Sequence, residues 1–272
     1  MTNGLVSILI VAYNAEKYIK DTIVSCLNQT YEKTELLILD NNSSDKTIEI
    51  IRSMKDSRIK LFIGSENLGP FAGLNYLLDR AAGEYVAIQD HDDLWFPEKI
   101  KKQITLLSRN KDIIACGART FYFYENFGLF ILNNKKFLVD CYDHTSLFFR
   151  NMGFRYQYKH VLPDQHFQKV ILSEKGKRVC LQEILAIHRI RDDGKNYSRY
   201  IFKFTLKNIR DLIEMNGVSV KNLFFFLTLV VNRIFPPSLS YRLAFRIFKS
   251  NLIQLTMEEF KMDYPDSNLF IR

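Results

Sequence analysis

The chain has one tryptophan, six prolines and four cysteines among 272 residues. Cys26, Cys116, Cys141 and Cys180 are scattered, so no zinc-ligand pair or redox Cys-x-x-Cys is present and no disulfide framework is expected. A reducing, cytosolic setting fits that usage. Nowhere do about 18 apolar residues run uninterrupted, which argues against a membrane-spanning helix. The apolar stretch from Val6 to Ala12 is short, lacks a basic leader and runs into Tyr13-Asn14, so it is not expected to be a signal peptide. Two phosphate-binding signatures are missing: a Gly-rich loop ending in Lys-Ser or Lys-Thr, and Gly-x-Gly-x-x-Gly. Any nucleotide must be held by another architecture. Repeats and low-complexity tracts are also absent.

What is present is an ordinary globular composition, 47% hydrophobic and 25% charged, rich in phenylalanine and tyrosine. The net charge of +8 suits an anionic partner without choosing one. Nucleic acid, supported by charge alone, is not expected. The first half alternates strand and helix signals. Val6 to Val11, Glu35 to Leu39, Ile59 to Phe62 and Tyr85 to Ile88 read as buried strands. Ile19, Ile23 and Leu27 mark one helix, Ile48, Ile51 and Met54 a second, and Gly69 to Ala82 a third. This is an α/β pattern, with a mostly parallel sheet covered by helices on both faces. Such sheets bind ligands at the carboxyl ends of their strands. Three polar clusters fall there: Ala12-Tyr13-Asn14, Asp40-Asn41-Asn42 and Asp90-His91-Asp92-Asp93.

The last cluster places three carboxylates where a strand leaves the core, an expensive arrangement unless something positive binds. A hard divalent cation on Asp90 and Asp92, shared with a phosphate, is one reading. A solvated loop with Asp93 capping the next helix, begun by Pro97-Glu98-Lys99-Ile100, is the other. Trp95 fits a sugar platform or simple packing. Further on, Ile113 to Cys116 and Arg119 to Tyr124 read as strands, Asp164 to Glu174 as a helix closed near Gly176, and Arg178 to Ile187 as a strand. After Tyr200 the chain turns helical, basic and aromatic. Phe202 to Met215 and Asn222 to Phe235 are expected helices, and Arg242, Arg246 and Lys249 alternate with Tyr241, Phe245 and Phe248. Such helices either lie in a membrane interface or pack on the preceding domain.

Val6-Ser7-Ile8-Leu9-Ile10-Val11-Ala12-Tyr13-Asn14, Leu39-Asp40-Asn41-Asn42-Ser43-Ser44-Asp45, Asn67-Leu68-Gly69 and Gln89-Asp90-His91-Asp92-Asp93 stand in an order and context that resembles the family-2 glycosyltransferases. The resemblance covers roughly residues 5 to 200. It implies a GT-A fold, a Rossmann-like sheet flanked by helices, over 1–200, with a helical extension over 201–272. It also implies inverting transfer of a sugar from a UDP-, GDP- or dTDP-sugar to a saccharide or lipid-linked saccharide, assisted by Mg²⁺ or Mn²⁺. The setting would be bacterial cell-surface polysaccharide or glycolipid synthesis. The location would be cytoplasmic, or peripheral on the inner face of the membrane if the C-terminal helices bind it.

By the same resemblance, Val11, Tyr13 and Asp40 hold the nucleobase and Asn67 contributes to the donor site. Asp90 lies at the ribose or the metal, and Asp92 is the main metal ligand. Asp164, in Pro163-Asp164-Gln165-His166, matches the catalytic base; it could equally be an N-cap, and the two roles are compatible. His160 and His166 flank it. His188-Arg189-Ile190-Arg191 matches a basic or histidine element, in which Arg189 and Arg191 would grip the departing diphosphate and a loop through Lys195 and Ser198 would close over it. The chain departs from the family at Asn41, often Asp, at Gly73-Leu74-Asn75, often Ala-Arg-Asn, and at Pro163, usually Glu. Two other readings stay open. A sugar-phosphate nucleotidyltransferase would need a Gly-rich, Arg-containing loop where Ala12-Tyr13-Asn14-Ala15 stands. A non-catalytic nucleotide-sugar-binding protein or membrane scaffold of the same fold is the alternative.

Overall fold

The structure, a computed structural model, describes residues 1–133, 143–157, 162–191, 210, 213 and 252–265. Ten strands form one mixed sheet: β1 (Thr2–Ala12), β2 (Thr34–Asp40), β3 (Ile59–Ile63), β4 (Gly83–Asp90), β5 (Leu94–Trp95), β6 (Ile113–Tyr124), β7 (Leu129–Asn133), β8 (Phe148–Arg150), β9 (Lys177–Ile190) and β10 (Leu252–Thr256). The main path runs β10-β7-β6-β8-β4-β1-β2-β3, and β9 joins β6 and β5. The helices are α1 (Ile19–Leu27), α2 (Thr47–Ser53), α3 (Pro70–Leu78), α4 (Lys99–Arg109), α5 (Pro163–His166) and α6 (Met257–Asp263). A π-helical turn, Phe167–Leu172, continues α5.

The expected parallel half is present. β1 pairs in parallel with both β2 and β4, and β2 with β3. β1 is central, so Val6, Ile8, Leu9 and Ile10 are buried on both faces and need no polar alternation. α1 buries Ile19, Ile23 and Cys26 on one side of the sheet, while α3 buries Leu74, Leu77 and Leu78 on the other. Gly83 opens β4 where a Cβ would lie 2.7 Å from the Leu5 carbonyl and the Ser7 nitrogen, so only glycine lets the strands approach. The remainder of the sheet is largely antiparallel: β4 with β8, β6 with β8 and β7, β7 with β10. The two strands expected over 113–124 are one strand, β6, with register shifts around Ala118 and Arg119. The helix expected from Asp164 starts a residue earlier and widens into the π turn.

Two features of the core bear on stability. Trp95 is 1% exposed and its indole donates to the Thr145 carbonyl, so it packs rather than forming a platform. Lys99, at the start of α4, is also fully buried. Its Nζ lies 3.7 Å from the centre of the Trp95 ring and has no hydrogen-bond partner among the described residues. Burial pushes this ammonium down to about 7 and pushes the neighbouring Cys26 and Cys116 thiols up to about 12. Cys26 and Cys116 form no disulfide among the described residues, and Cys141 lies outside them.

The C-terminal segment contributes to the same sheet. β10 pairs with β7, and α6 seats Phe260 on Phe130 with ring centroids 3.7 Å apart. The helices expected over 202–215 and 222–235, the basic and aromatic run after them, and the loop through Lys195 and Ser198 fall outside the described residues, apart from 210 and 213. Among the described residues no helix is long and apolar enough to cross a membrane.

Candidate active site

The register of β1 with its neighbours brings the three clusters together. Ala12 stands opposite Asp40 on β2, and Val11 opposite Asp90 on β4. Asp40 and Asp90 are therefore two strand spacings apart, about 10 Å between backbones. The loops that follow are braced against each other. Asn14 and Asn42 take the left-handed conformation, Asn14 N–H donates to Ser43 Oγ, and Ser44 N–H donates to Asn14 Oδ1.

On the β2 side, Asp40 is fully buried. Its Oδ2 accepts from Ser43 N–H, while its Oδ1 has no hydrogen-bond partner among the described residues. An uncompensated buried carboxylate oxygen is costly and calls for an N–H donor. Tyr13, 44% exposed, follows Ala12, the residue opposite Asp40. The departure at Asn41 has a structural reason. Its amide donates to Asn67 Oδ1 and its carbonyl oxygen accepts from Leu68 N–H, both at 2.9 Å. An aspartate could not donate. Asn67 is exposed and shapes the loop into α3, and Val11 is half-buried against Gly73, where a Cβ would meet its Cγ1 at 2.9 Å.

On the β4 side, the chain turns after Asp90, with Thr22 of α1 donating to the His91 or Asp93 carbonyl, and pairs β5 with β9. That pairing brings His188 to Asp93. Asp93 is no helix cap: it is fully buried, accepting from His188 Nδ1–H at 2.9 Å and Arg189 N–H at 2.8 Å. α4 begins at Lys99, with Glu98 before it. Burial raises the Asp93 carboxyl. For His188, burial opposes charge, but the neighbouring carboxylates outweigh it and raise the imidazole. One donor atom from each of Asp90, Asp93 and His188 lies within 4.8 Å of the others. Asp92 is placed differently: its Oδ2 pairs with Arg191 Nε at 3.0 Å, and its carbonyl accepts from Arg189 Nε. The two arginines are buried, and both guanidinium groups face the Tyr18 ring.

The donor chemistry fits a hard or borderline divalent cation: carboxylate oxygens with one imidazole. Both Asp93 oxygens are engaged, so Asp93 serves as the outer partner that orients His188, a common arrangement behind metal-bound histidine.

Asp164 stands at the start of α5, half-buried. Burial raises its carboxyl above the ordinary aspartate value, against the pull of His144. His144, not singled out by the sequence reading, connects the halves of the site. Its Nδ1 is 3.2 Å from Asp90 Oδ1 and its Nε2 is 2.9 Å from the Tyr156 hydroxyl. Burial works to raise the Asp90 carboxyl, but the imidazoles of His144, His188 and His91 outweigh it and lower it. Asn75 was also missed as a functional residue: it donates to the Tyr156 carbonyl and accepts from Tyr156 N–H. No local pattern reveals these contacts, which link residues 12 to 81 positions apart in sequence. His160 lies outside the described residues, and His166 is buried in α5.

Comparison with known proteins bears on the family and the fold. The model of glycosyl transferase family 2 matches residues 7–171. An uncharacterized glycosyltransferase of Haemophilus influenzae is 41% identical over 123 residues, 44% of this chain and 49% of that protein. The Escherichia coli UDP-Glc:alpha-D-GlcNAc-diphosphoundecaprenol beta-1,3-glucosyltransferase is 40% identical over 110 residues, 40% of this chain and 44% of that one. In both cases the match spans less than half the relative's length. Among solved structures, a mannosyltransferase of Pyrobaculum calidifontis in complex with GDP-Man and Mn²⁺ superposes with a TM-score of 0.61 at 15% identity, covering 90% of this chain and 75% of that one. That likeness establishes a shared GT-A fold.

Proposed function

Because the chain belongs to glycosyl transferase family 2, we propose that it transfers a sugar, with inversion and divalent-metal assistance, from a nucleoside-diphosphate sugar to a hydroxyl of a saccharide or lipid-linked saccharide. The observation that carries this is the convergence, at the ends of β2 and β4, of an unpaired buried acceptor on Asp40 with the carboxylate and imidazole cluster of Asp90, Asp93 and His188.

Asp40 Oδ1 accepts an N–H from the nucleobase, with Tyr13 and Val11 against its ring and Asn67 holding the loop beside it. The imide N–H of uracil or thymine and the N–H groups of guanine meet that need. Asp90 and His188 would hold Mg²⁺ or Mn²⁺, His188 through Nε2 after losing its proton, because Nδ1 is committed to Asp93. When bound, the cation supplies Lewis-acid neutralisation of the leaving diphosphate. Asp92 would be a further carboxylate available to the cation, and Arg191 and Arg189, which now contact Asp92, would supply positive charge for the diphosphate. Asp164 takes the acceptor hydroxyl proton, and its raised pKa brings it closer to working pH. The oxygen then attacks the anomeric carbon from the face opposite the departing group. A lipid-linked acceptor in surface-polysaccharide synthesis is supported by the likeness to relatives such as the Escherichia coli enzyme.

The test is release of nucleoside diphosphate from a panel of UDP-, GDP- and dTDP-sugars with Mn²⁺ or Mg²⁺, followed by the anomeric configuration of the product. Turnover with inversion, abolished by chelation, is expected. Retention of configuration sinks the stereochemical assignment, undiminished turnover in chelator sinks the metal, and silence across the panel with saccharide and lipid-linked acceptors sinks the whole reading.

A further inference from the structure

His144 sits in a short 3₁₀ turn ahead of β8 and faces both catalytic halves. A carboxylate only accepts hydrogen bonds, so the imidazole proton toward Asp90 must reside on Nδ1 whatever the charge of the ring. Nε2 then meets the Tyr156 hydroxyl. Tyr156 is 2% exposed and held from three sides. Asn75 of α3 fixes its backbone in both directions, Phe71 packs on its ring, and Phe167 stacks on it with centroids 4.0 Å apart. Phe167 directly follows α5, the helix that carries Asp164. A continuous chain of contacts therefore runs from Asp90 through His144 and Tyr156 to the base of α5, with α3 as its anchor.

We propose that His144 is a positioning residue, and that the Tyr156–His144–Asp90 relay fixes the Asp90 side chain for the metal-nucleotide and ties it in register with the helix bearing Asp164. The inference rests on the functional reading above. A histidine kept only to fill space would not need a buried tyrosine hydroxyl on one nitrogen and a metal-side carboxylate on the other.

The experiment compares the parent with His144→Ala, His144→Asn and Tyr156→Phe. Calorimetry gives the affinity for UDP and GDP, each with Mn²⁺, alongside melting temperature and donor KM and kcat. His144→Ala is expected to weaken the better nucleotide at least about tenfold, the scale of a lost charge-assisted hydrogen bond. His144→Asn places an amide N–H near the Nδ1 position and is expected to recover binding to within about threefold of the parent. Tyr156→Phe should fall between, with melting unchanged. His144→Ala binding like the parent, or His144→Asn no better than His144→Ala, overturns the relay. Should His144→Ala not fold, Tyr156→Phe binding as tightly as the parent overturns it instead. A parent that binds neither nucleotide with Mn²⁺ overturns the functional reading and this inference together, whereas a normal parent with indifferent variants overturns only this inference.

Discussion

Lys99→Met is expected to make the protein more stable, and more so at neutral pH than in mild alkali. In the folded chain Lys99 Nζ lies over the Trp95 ring, has no hydrogen-bond partner among the described residues and is fully buried, with its pKa pushed from 10.5 to about 7. The unfolded chain therefore binds the extra proton between pH 7 and 10.5, and stability climbs with pH across that window. The penalty is fully present below pH 7 and gone above 10.5. At one unit per 1.36 kcal/mol, it amounts to about 5 kcal/mol below pH 7, about 4 at pH 7 and about 2 at pH 9. Methionine has similar length, keeps the packing and removes the titration. Its loss of the cation–ring attraction offsets at most about 2 kcal/mol. Against a typical total of about 5–15 kcal/mol the net gain is large. Cys26 and Cys116, raised to about 12, lower stability above pH 9 as their unfolded thiols ionise. They do so in both proteins, so the difference between the two isolates Lys99. Urea unfolding of parent and variant at pH 7, 8 and 9 measures it. A difference that does not shrink with pH, or a variant less stable at pH 7, would refute the account of Lys99 as a buried, unpaired amine.

Asp164→Asn should lower kcat by about 10²–10⁴ while leaving the binding of UDP or GDP with Mn²⁺ and the melting temperature near the parent's, as measured by donor turnover and calorimetry. Because the Asp164 carboxyl is raised, activity in the parent should fall off on acidification at a higher pH than an ordinary aspartate would give, and the acidic limb of the kcat profile reads this directly. Asn41→Asp removes the donor to Asn67 Oδ1 and sets a carboxylate against it, which should cost about 1–3 kcal/mol in denaturant unfolding and raise donor KM.

The parallel half of the sheet was legible because β1, β2 and β4 are buried on both faces and read as mostly apolar runs, as in Val6 to Val11. Alternation with the helices of Ile19 and Ile51 then fixes a parallel topology. The antiparallel half was not, since β6 carries a register irregularity that splits one strand into two signals, and β10 finds its partner far away in sequence. At the site, Asp40 and Asp90 were visible as polar residues ending apolar strands. The roles of neighbours inside the acidic cluster were not, because they depend on which residues β9 brings opposite. Asp93 looked like a cap and is the buried partner of His188, while Asp92 faces Arg191. His144 and Tyr156 lack any motif, and the Gly73-Leu74-Asn75 element gives no sign that Asn75 holds the Tyr156 backbone, because these hydrogen bonds exist only once the chain is folded.

Phe260 closes the sheet on a surface laid down much earlier in the chain. Roughly 120 residues separate β7 from β10, which at about 5–20 residues per second is a delay of roughly 6–24 s on the ribosome. During that interval Phe130 lacks its stacking partner and Phe121 its edge-to-face one, and the outer edge of β7 offers open backbone groups to any passing strand. Nascent chains stalled or cut short of residue 252 should therefore be the aggregation-prone population in the cell, and recombinant truncations near residue 200 should inherit the same weakness. In practical terms, β10 and α6 cover the edge of β7 and the face of Phe130 that the earlier strands leave open.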